Sequence, residues 1–261
     1  MSNNDFYKKY IKKNETIKSC LDAGLDLKLY NYNIWYVDDL LNESYKNMEY
    51  VGETIERKAK EKLVNFKFEP QYVNFYSYLM REVMRNVIEH SKSQKLILLI
   101  YKNEKYEFGF KVFDDGIGIK ESLNSNPRYN VEDDITALAF SIRPGITRSY
   151  KRDPYREEVW QNSGFGLYMV SNIINKIGGY FEIASNSARI TIKNGFINHS
   201  QNKIQGTEVT AVFNTKIKIN IAQLIGKVAT KGNEIAANNK VSDFSKYAEV
   251  KTASKASTLI K

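Results

Sequence analysis

FDDGIGI, residues 113–119, closes a stretch in which aromatic and charged residues alternate, KYEFGFKVF, and precedes some 44 residues without clear periodicity. It sets two carboxylates, Asp114 and Asp115, against two glycines, Gly116 and Gly118, at a strand end. Glycine has no Cβ and tolerates positive φ, so backbone here can approach a planar ligand closely. A carboxylate beside it can accept a hydrogen bond from an exocyclic amine. Asp-Gly is also among the commonest turn signals, so the stretch alone admits either reading.

Upstream, residues 95–101 and 106–113 read as strands joined by the polar turn KNEK. Before them YSYLMREVMRNVIEH, residues 76–90, places Leu79, Met80, Val83, Met84, Val87 and Ile88 at helical spacing, the pattern of an amphipathic helix. Glu82 and Asn86 lie four apart on one face, and His90 continues that row. A carboxylate and an amide oxygen so placed suit a magnesium–phosphate site, because a hard cation takes oxygen ligands and a carboxylate can orient or deprotonate a nucleophile. The same pair also suits a plain solvated face.

Downstream, Ser163-Gly164-Phe165-Gly166-Leu167 opens a helix that stops at Gly178-Gly179. Glycines at a helix start leave N–H groups pointing outward, and with the helix dipole these favour phosphate. The spacing is neither a P-loop nor a complete G-x-G-x-x-G after a strand. YFEIAS, ARITIKN and TEVTAVF follow as strands, the last preceded by Gly206 and opened by Thr207. Helix, two strands, long loop, glycine turn, helix and three strands predict an α+β fold, a two-layer sandwich of a mixed sheet and helices. Residues 1–70 are expected to be a helical N-terminal region, 71–215 the main domain and 216–261 a basic extension.

The composition, 42% hydrophobic and 26% charged, is globular. No apolar run approaches the roughly 18 residues of a membrane span. A lone cysteine, Cys20, excludes an internal disulfide and a cysteine-based zinc site and points to a cytoplasmic setting. Residues 216–261 hold nine lysines against Glu234, Asp243 and Glu249, so much of the net charge of +9 resides there. With only Phe244 and Tyr247 as aromatics, that extension is a poor stacking platform for nucleic acid.

The order E-x-x-x-N, D-x-G-x-G, long loop, G-x-G-L and Gly-Thr resembles the GHKL superfamily of ATP-binding domains over roughly residues 70–215: gyrase-type, Hsp90 and MutL ATPases, histidine kinases and anti-sigma serine kinases. The resemblance implies the Bergerat ATP-binding fold with ATP and Mg2+ as cofactors. It implies Glu82 as general base, Asn86 as the magnesium ligand and Asp114 as acceptor of the adenine amine. Gly116 and Gly118 would let the chain pass the base, and Gly164, Gly166 and Leu167 would form the phosphate-binding glycine box. Residues 120–163 would be the ATP lid, and Thr207 would join the adenine-side hydrogen bonds. Asp115 stands where the family commonly has asparagine, which leaves its role open.

Neither His90 nor His199, the latter in the polar stretch NHSQN, resembles a phosphoacceptor on a dimerising helix, which argues against a sensor histidine kinase. An ATP-gated clamp would need a partner chain, a second copy included, because residues 216–261 are too few for the second domain of gyrase-type enzymes. Glu82 argues for activation of a hydroxyl, from water or a partner's serine. The basic lid, with Arg143, Arg148, Lys151, Arg152 and Arg156, could close over phosphates. The expectation is an ATPase or protein serine kinase acting as a nucleotide-controlled switch in a bacterial signalling or defence module. The alternative is a non-catalytic, ATP-gated module regulating a toxin, effector or nucleic-acid partner.

Overall fold

A computed structural model describes residues 29–102, 107–148, 163–238 and Thr258. Cys20, Lys151, Arg152, Arg156, Phe244 and Tyr247 lie outside these residues. Seven strands form one sheet: β1 (Leu29–Tyr36), β2 (Lys95–Lys102), β3 (Glu107–Asp114), β4 (Tyr180–Ser185), β5 (Ala188–Lys193), β6 (Phe196–Gln201) and β7 (Thr207–Asn214), in the order β1-β2-β3-β7-β4-β5-β6. The helices are α1 (Val37–Lys46), α2 (Val51–Leu63), α3 (Pro70–Asn86), α4 (Gly118–Asn124), α5 (Asp134–Ser141), α6 (Gly166–Lys176) and α7 (Ile221–Asn238). The α+β sandwich is as expected. The sheet is not mixed, since all its pairings are antiparallel. β7 returns between β3 and β4 and runs opposite to both, so no parallel neighbours arise.

Strand alternation sorts the side chains. Phe108, Phe110, Val112 and Asp114 occupy one face of β3 and are buried, because successive residues point to opposite sides of a sheet. Leu98 and Ile100 of β2, Val209, Ala211 and Phe213 of β7, and Phe181 and Ile183 of β4 join that face. Leu79, Met80, Val83 and Met84 of α3 and Met169, Val170, Ile173 and Ile174 of α6 pack on it in one continuous core. Burying each such side chain stabilises the fold by about 1.5–3 kcal/mol. The same alternation carries Asp114 into the core-facing row and leaves Asp115 exposed.

Four local readings differ. Residues 29–36 form a strand inside the stretch read as helix and turn, pairing with β2 from Leu29↔Lys102 to Tyr36↔Lys95. The polar stretch around His199 is β6, an edge strand exposed at every position. The lid begins with α4 and α5, which share a small cluster of Leu123, Tyr129, Val131, Ala137, Phe140 and Ile146. The start of the basic extension is α7, whose Ile225, Val228, Ala229 and Ala236 are buried, with the Tyr168 hydroxyl of α6 donating to the Val228 carbonyl at 3.4 Å. Among the described residues no helix is long and apolar enough to cross a membrane.

Candidate functional site

α3 begins with Pro70 at its first turn, where proline's missing N–H costs nothing. It runs α-helically to Asn86, then widens into a π turn over Val87–Ser91 and stops at Lys92 in the left-handed region, φ 57°. Such widened turns re-aim side chains and are frequent at functional sites. Asn86, at the end of the α-helical part, and His90, in the π turn, both reach an open cleft of about 620 Å³, solvent mouth included. Glu82 does not line it.

Glu82 is instead built into a buried charge cluster. Arg81, the largest fully buried side chain, gives Nε and Nη2 to Glu82 Oε1 at 3.1 and 2.9 Å, and Nη1 to Glu56 Oε2 of α2. Burial works against the Arg81 charge, but Glu82 and Glu56 outweigh it and hold the guanidinium above its ordinary range. The other oxygen of Glu82 faces the start of α6, where a Cβ on Gly166 would lie 3.0 Å from Oε2. Glycine there leaves room for the carboxylate beside the helix N-terminus. Leu167, the next residue, lines the cleft.

At the opposite end stands Asp114, 3% exposed, opposite Thr207 in the β3–β7 register. Its Oδ1 accepts from the Gly116 N–H at 2.9 Å. Burial pushes its carboxyl up to about 7; the Gly116 and Thr207 N–H groups pull against that rise, and the Asp115 charge adds to it. Gly116 and Gly118 have reasons inside the protein. A Cβ on Gly116 would overlap the Ser91 carbonyl oxygen, close to where Ile117 N–H donates to that same oxygen at 2.8 Å. Gly118, at φ 79°, lines the cleft. Gly164 accepts from Gly145 N–H at 3.1 Å, tying the glycine box to the lid.

The structure thus brings Asn86, Asp114, Gly118, Leu167 and Thr207 to one cleft and places Glu82, Gly116, Gly164 and Gly166 in the supports around it. Val87, Val112, Ile119 and Val209 supply apolar walls. The sequence reading missed the β4–β5 turn. There Ser185 Oγ accepts from Ile119 N–H and donates to the Gly206 carbonyl, each at 3.0 Å, and Asn186 Oδ1 accepts from Gly206 N–H at 3.2 Å. That turn fastens both glycine-bearing segments of the Asp114 end to one strand corner. It carries no motif, and only β4 pairing beside β7 brings it there.

Of the lid arginines, Arg148 lines the cleft and donates Nη1 to the His90 carbonyl at 3.2 Å, while Arg143 lies over the Phe140 ring. His90 is brought down to about 4 by burial, against the opposing charge of Glu89 and with help from Arg148. Its Nδ1 is shielded from solvent. It is suited to a neutral packing role near the cleft.

No curated protein sequence matches the chain. Residues 73–217, more than half its length, match the family described as histidine kinase-, DNA gyrase B- and HSP90-like ATPase. That span runs from α3 through β7 and holds every element that frames the cleft, so the chain belongs to this family of ATP-binding domains.

Proposed function

We propose that the cleft binds ATP with magnesium, the adenine at the Asp114 end and the phosphates between Asn86 and the start of α6, and that Glu82 activates a hydroxyl for attack on the γ-phosphate. One observation carries this reading: four chain segments distant in sequence converge on one apolar-walled cleft with a buried carboxyl at one end and an amide at the other. An adenine ring needs flat apolar walls and an acceptor for its amine. Val112, Ile119 and Val209 give the walls, Asp114 the acceptor, and Thr207 a further polar group. The Asn86 side chain fits the phosphate side of such a site, since among the described residues its buried Nδ2 has no partner and can donate to a phosphate oxygen, leaving Oδ1 as the atom that would face magnesium. Among the described residues no group of three or more His, Cys, Asp or Glu is poised to hold a metal. A cation here would take most of its ligands from phosphate and water, as magnesium does, and would neutralise charge on the γ-phosphate.

Glu82 would take the hydroxyl proton from the side facing Gly166, while Arg81 fixes the carboxylate's direction. The hydroxyl belongs to water or to a protein serine, and the protein is read as a nucleotide-controlled switch on a protein partner in a signalling or defence module. A second reading, a gated module without turnover, draws on one observation: Glu82 Oε1 is already engaged by Arg81.

Titration with ATP and Mg2+, followed by incubation with γ-labelled ATP with and without the product of the adjacent gene, tests both. We expect wild-type binding with release or transfer of label, binding without either in Glu82→Gln, and lost binding in Asp114→Ala. Label staying on ATP in the wild type would leave the gated reading. No binding at millimolar ATP would remove both.

A further inference from the structure

Asp115, whose role the sequence leaves open, is exposed, yet its carboxylate has a definite partner. Its Oδ1 lies 2.5 Å from the hydroxyl of Ser93, which is buried between the end of the α3 π turn and the start of β2. Ser93 Oγ accepts from Lys95 N–H at 3.0 Å and also lies 2.8 Å from the Lys95 carbonyl oxygen. A hydroxyl has one proton to give, and a carboxylate is the stronger acceptor. Ser93 is itself fixed, its N–H donating to Ser91 Oγ at 3.0 Å and that hydroxyl to the Val87 carbonyl at 2.7 Å. Asp115 is thus anchored to the end of the π turn that carries His90 and follows Asn86.

The neighbouring peptides make this anchor matter for Asp114. The direction of the Asp114 carboxyl is set by the Gly116 N–H bonded to its Oδ1. That N–H belongs to the 115–116 peptide, whose own carbonyl and both flanking groups are held. Asp115 Oδ1 meets Ser93, the Asp115 carbonyl accepts from Gln205 Nε2 at 3.3 Å, and Ile117 N–H donates to the Ser91 carbonyl. Only the first uses an ionised group, so it is the strongest of the three.

We propose that Asp115 is a positioning residue for the base end of the cleft: its bond to Ser93 pins the 115–116 peptide to the end of α3 and thereby aims the Asp114 carboxyl. An asparagine oxygen could accept the same Ser93 proton, so the bond needs an acceptor at this position rather than a charge. What Asp115 does for nucleotide rests on the ATP-site reading; the pinning does not.

The full chain is compared as wild type, Asp115→Ala, Asp115→Asn, Ser93→Ala and the double alanine variant. One arm is titration with ATP and Mg2+; the other is amide hydrogen exchange at Gly116 and Ile117 without nucleotide. We expect Asp115→Ala and Ser93→Ala each to weaken ATP binding about tenfold or more, as for loss of a hydrogen bond to a charged group. The double variant should be no worse than either single one, and Asp115→Asn should recover most of the loss. Both amides should exchange faster in the alanine variants and as in wild type in Asp115→Asn. Unchanged exchange in Asp115→Ala, losses that add in the double variant, or Asp115→Asn as defective as Asp115→Ala would each overturn the proposal. If the wild type binds no ATP, the nucleotide reading fails, and the exchange arm alone decides the latch.

Discussion

Glu82 and Asp114 are both almost wholly buried, 4% and 3% exposed, and the protein treats them in opposite ways. Glu82 has a guanidinium against it, and that guanidinium has a second carboxylate, Glu56, on its far side. Asp114 has no ion-pair partner among the described residues, only backbone N–H groups, and an acidic neighbour besides. Burial by itself penalises any charge; the partner decides whether the charge survives. One carboxylate is supplied with a partner from within the fold. The other has none among the described residues.

The largest test of that contrast is Arg81→Met. It keeps most of the side-chain volume but takes the guanidinium away from two buried carboxylates, leaving Glu56 to Lys60, and breaking a buried pair in this way costs about 3–5 kcal/mol. Denaturant unfolding should show the midpoint falling at unchanged slope. Glu56→Gln should cost less, because Arg81 keeps Glu82. A loss below 1 kcal/mol for Arg81→Met would mean that water or relaxation already screens the cluster.

The next effect concerns pH. Asp114 is raised to about 7 from an ordinary 3.8, with Asp115 the acidic group facing it. The folded form therefore holds the proton longer than the unfolded chain, and stability falls as pH rises from about 4 to 7. His90, facing Glu89, Arg85 and Arg148, is lowered to about 4 from 6.5. The unfolded chain takes up that proton first, so stability falls as pH drops from 6.5 to 4. The two slopes oppose each other in the same window, the first worth roughly 4 kcal/mol and the second roughly 3 kcal/mol. Asp114→Asn should remove the first and expose the second, giving a protein that weakens on acidification. His90→Gln should do the reverse. Thermal melts at pH 4, 5.5 and 7 separate the cases; parallel profiles for both variants and wild type would refute the assignment.

How much of this was legible beforehand depends on where each signal resides. α3, α6 and strands β2, β3, β4, β5 and β7 show in the sequence because a buried face imposes its period on six or more residues. β1 escapes because LYNYNIWY passes straight into α1 without a turn residue, so two periods abut. β6 escapes because an edge strand exposed on both faces has no apolar alternation to display. The lid helices α4 and α5 span seven and eight residues, about two turns, too short for periodicity to stand out. At the site, the resemblance separates Asp114 from Asp115 only by motif position, and strand alternation supplies the physical reason that one is buried and the other not. Glu56 could not have been found, since it meets Arg81 across 25 residues through the packing of α2 on α3.

The smallest effect separates two glycines. Gly178 follows α6 at φ 67° with nothing within 4 Å of an added Cβ, so Gly178→Ala meets only the left-handed backbone preference, about 1 kcal/mol. Gly206 is also left-handed, at φ 89°, but a Cβ there would overlap the Asp114 carbonyl oxygen. Backbone cannot rotate away as a side chain end can. Gly206→Ala should therefore cost about 1–3 kcal/mol more than Gly178→Ala, as overpacking does. It should also weaken ATP binding, because the displaced atom belongs to Asp114, whereas Gly178→Ala should bind as wild type. Equal losses in both variants would mean that the Gly206 turn yields without moving Asp114, and that the base end tolerates more play than its backbone contacts suggest.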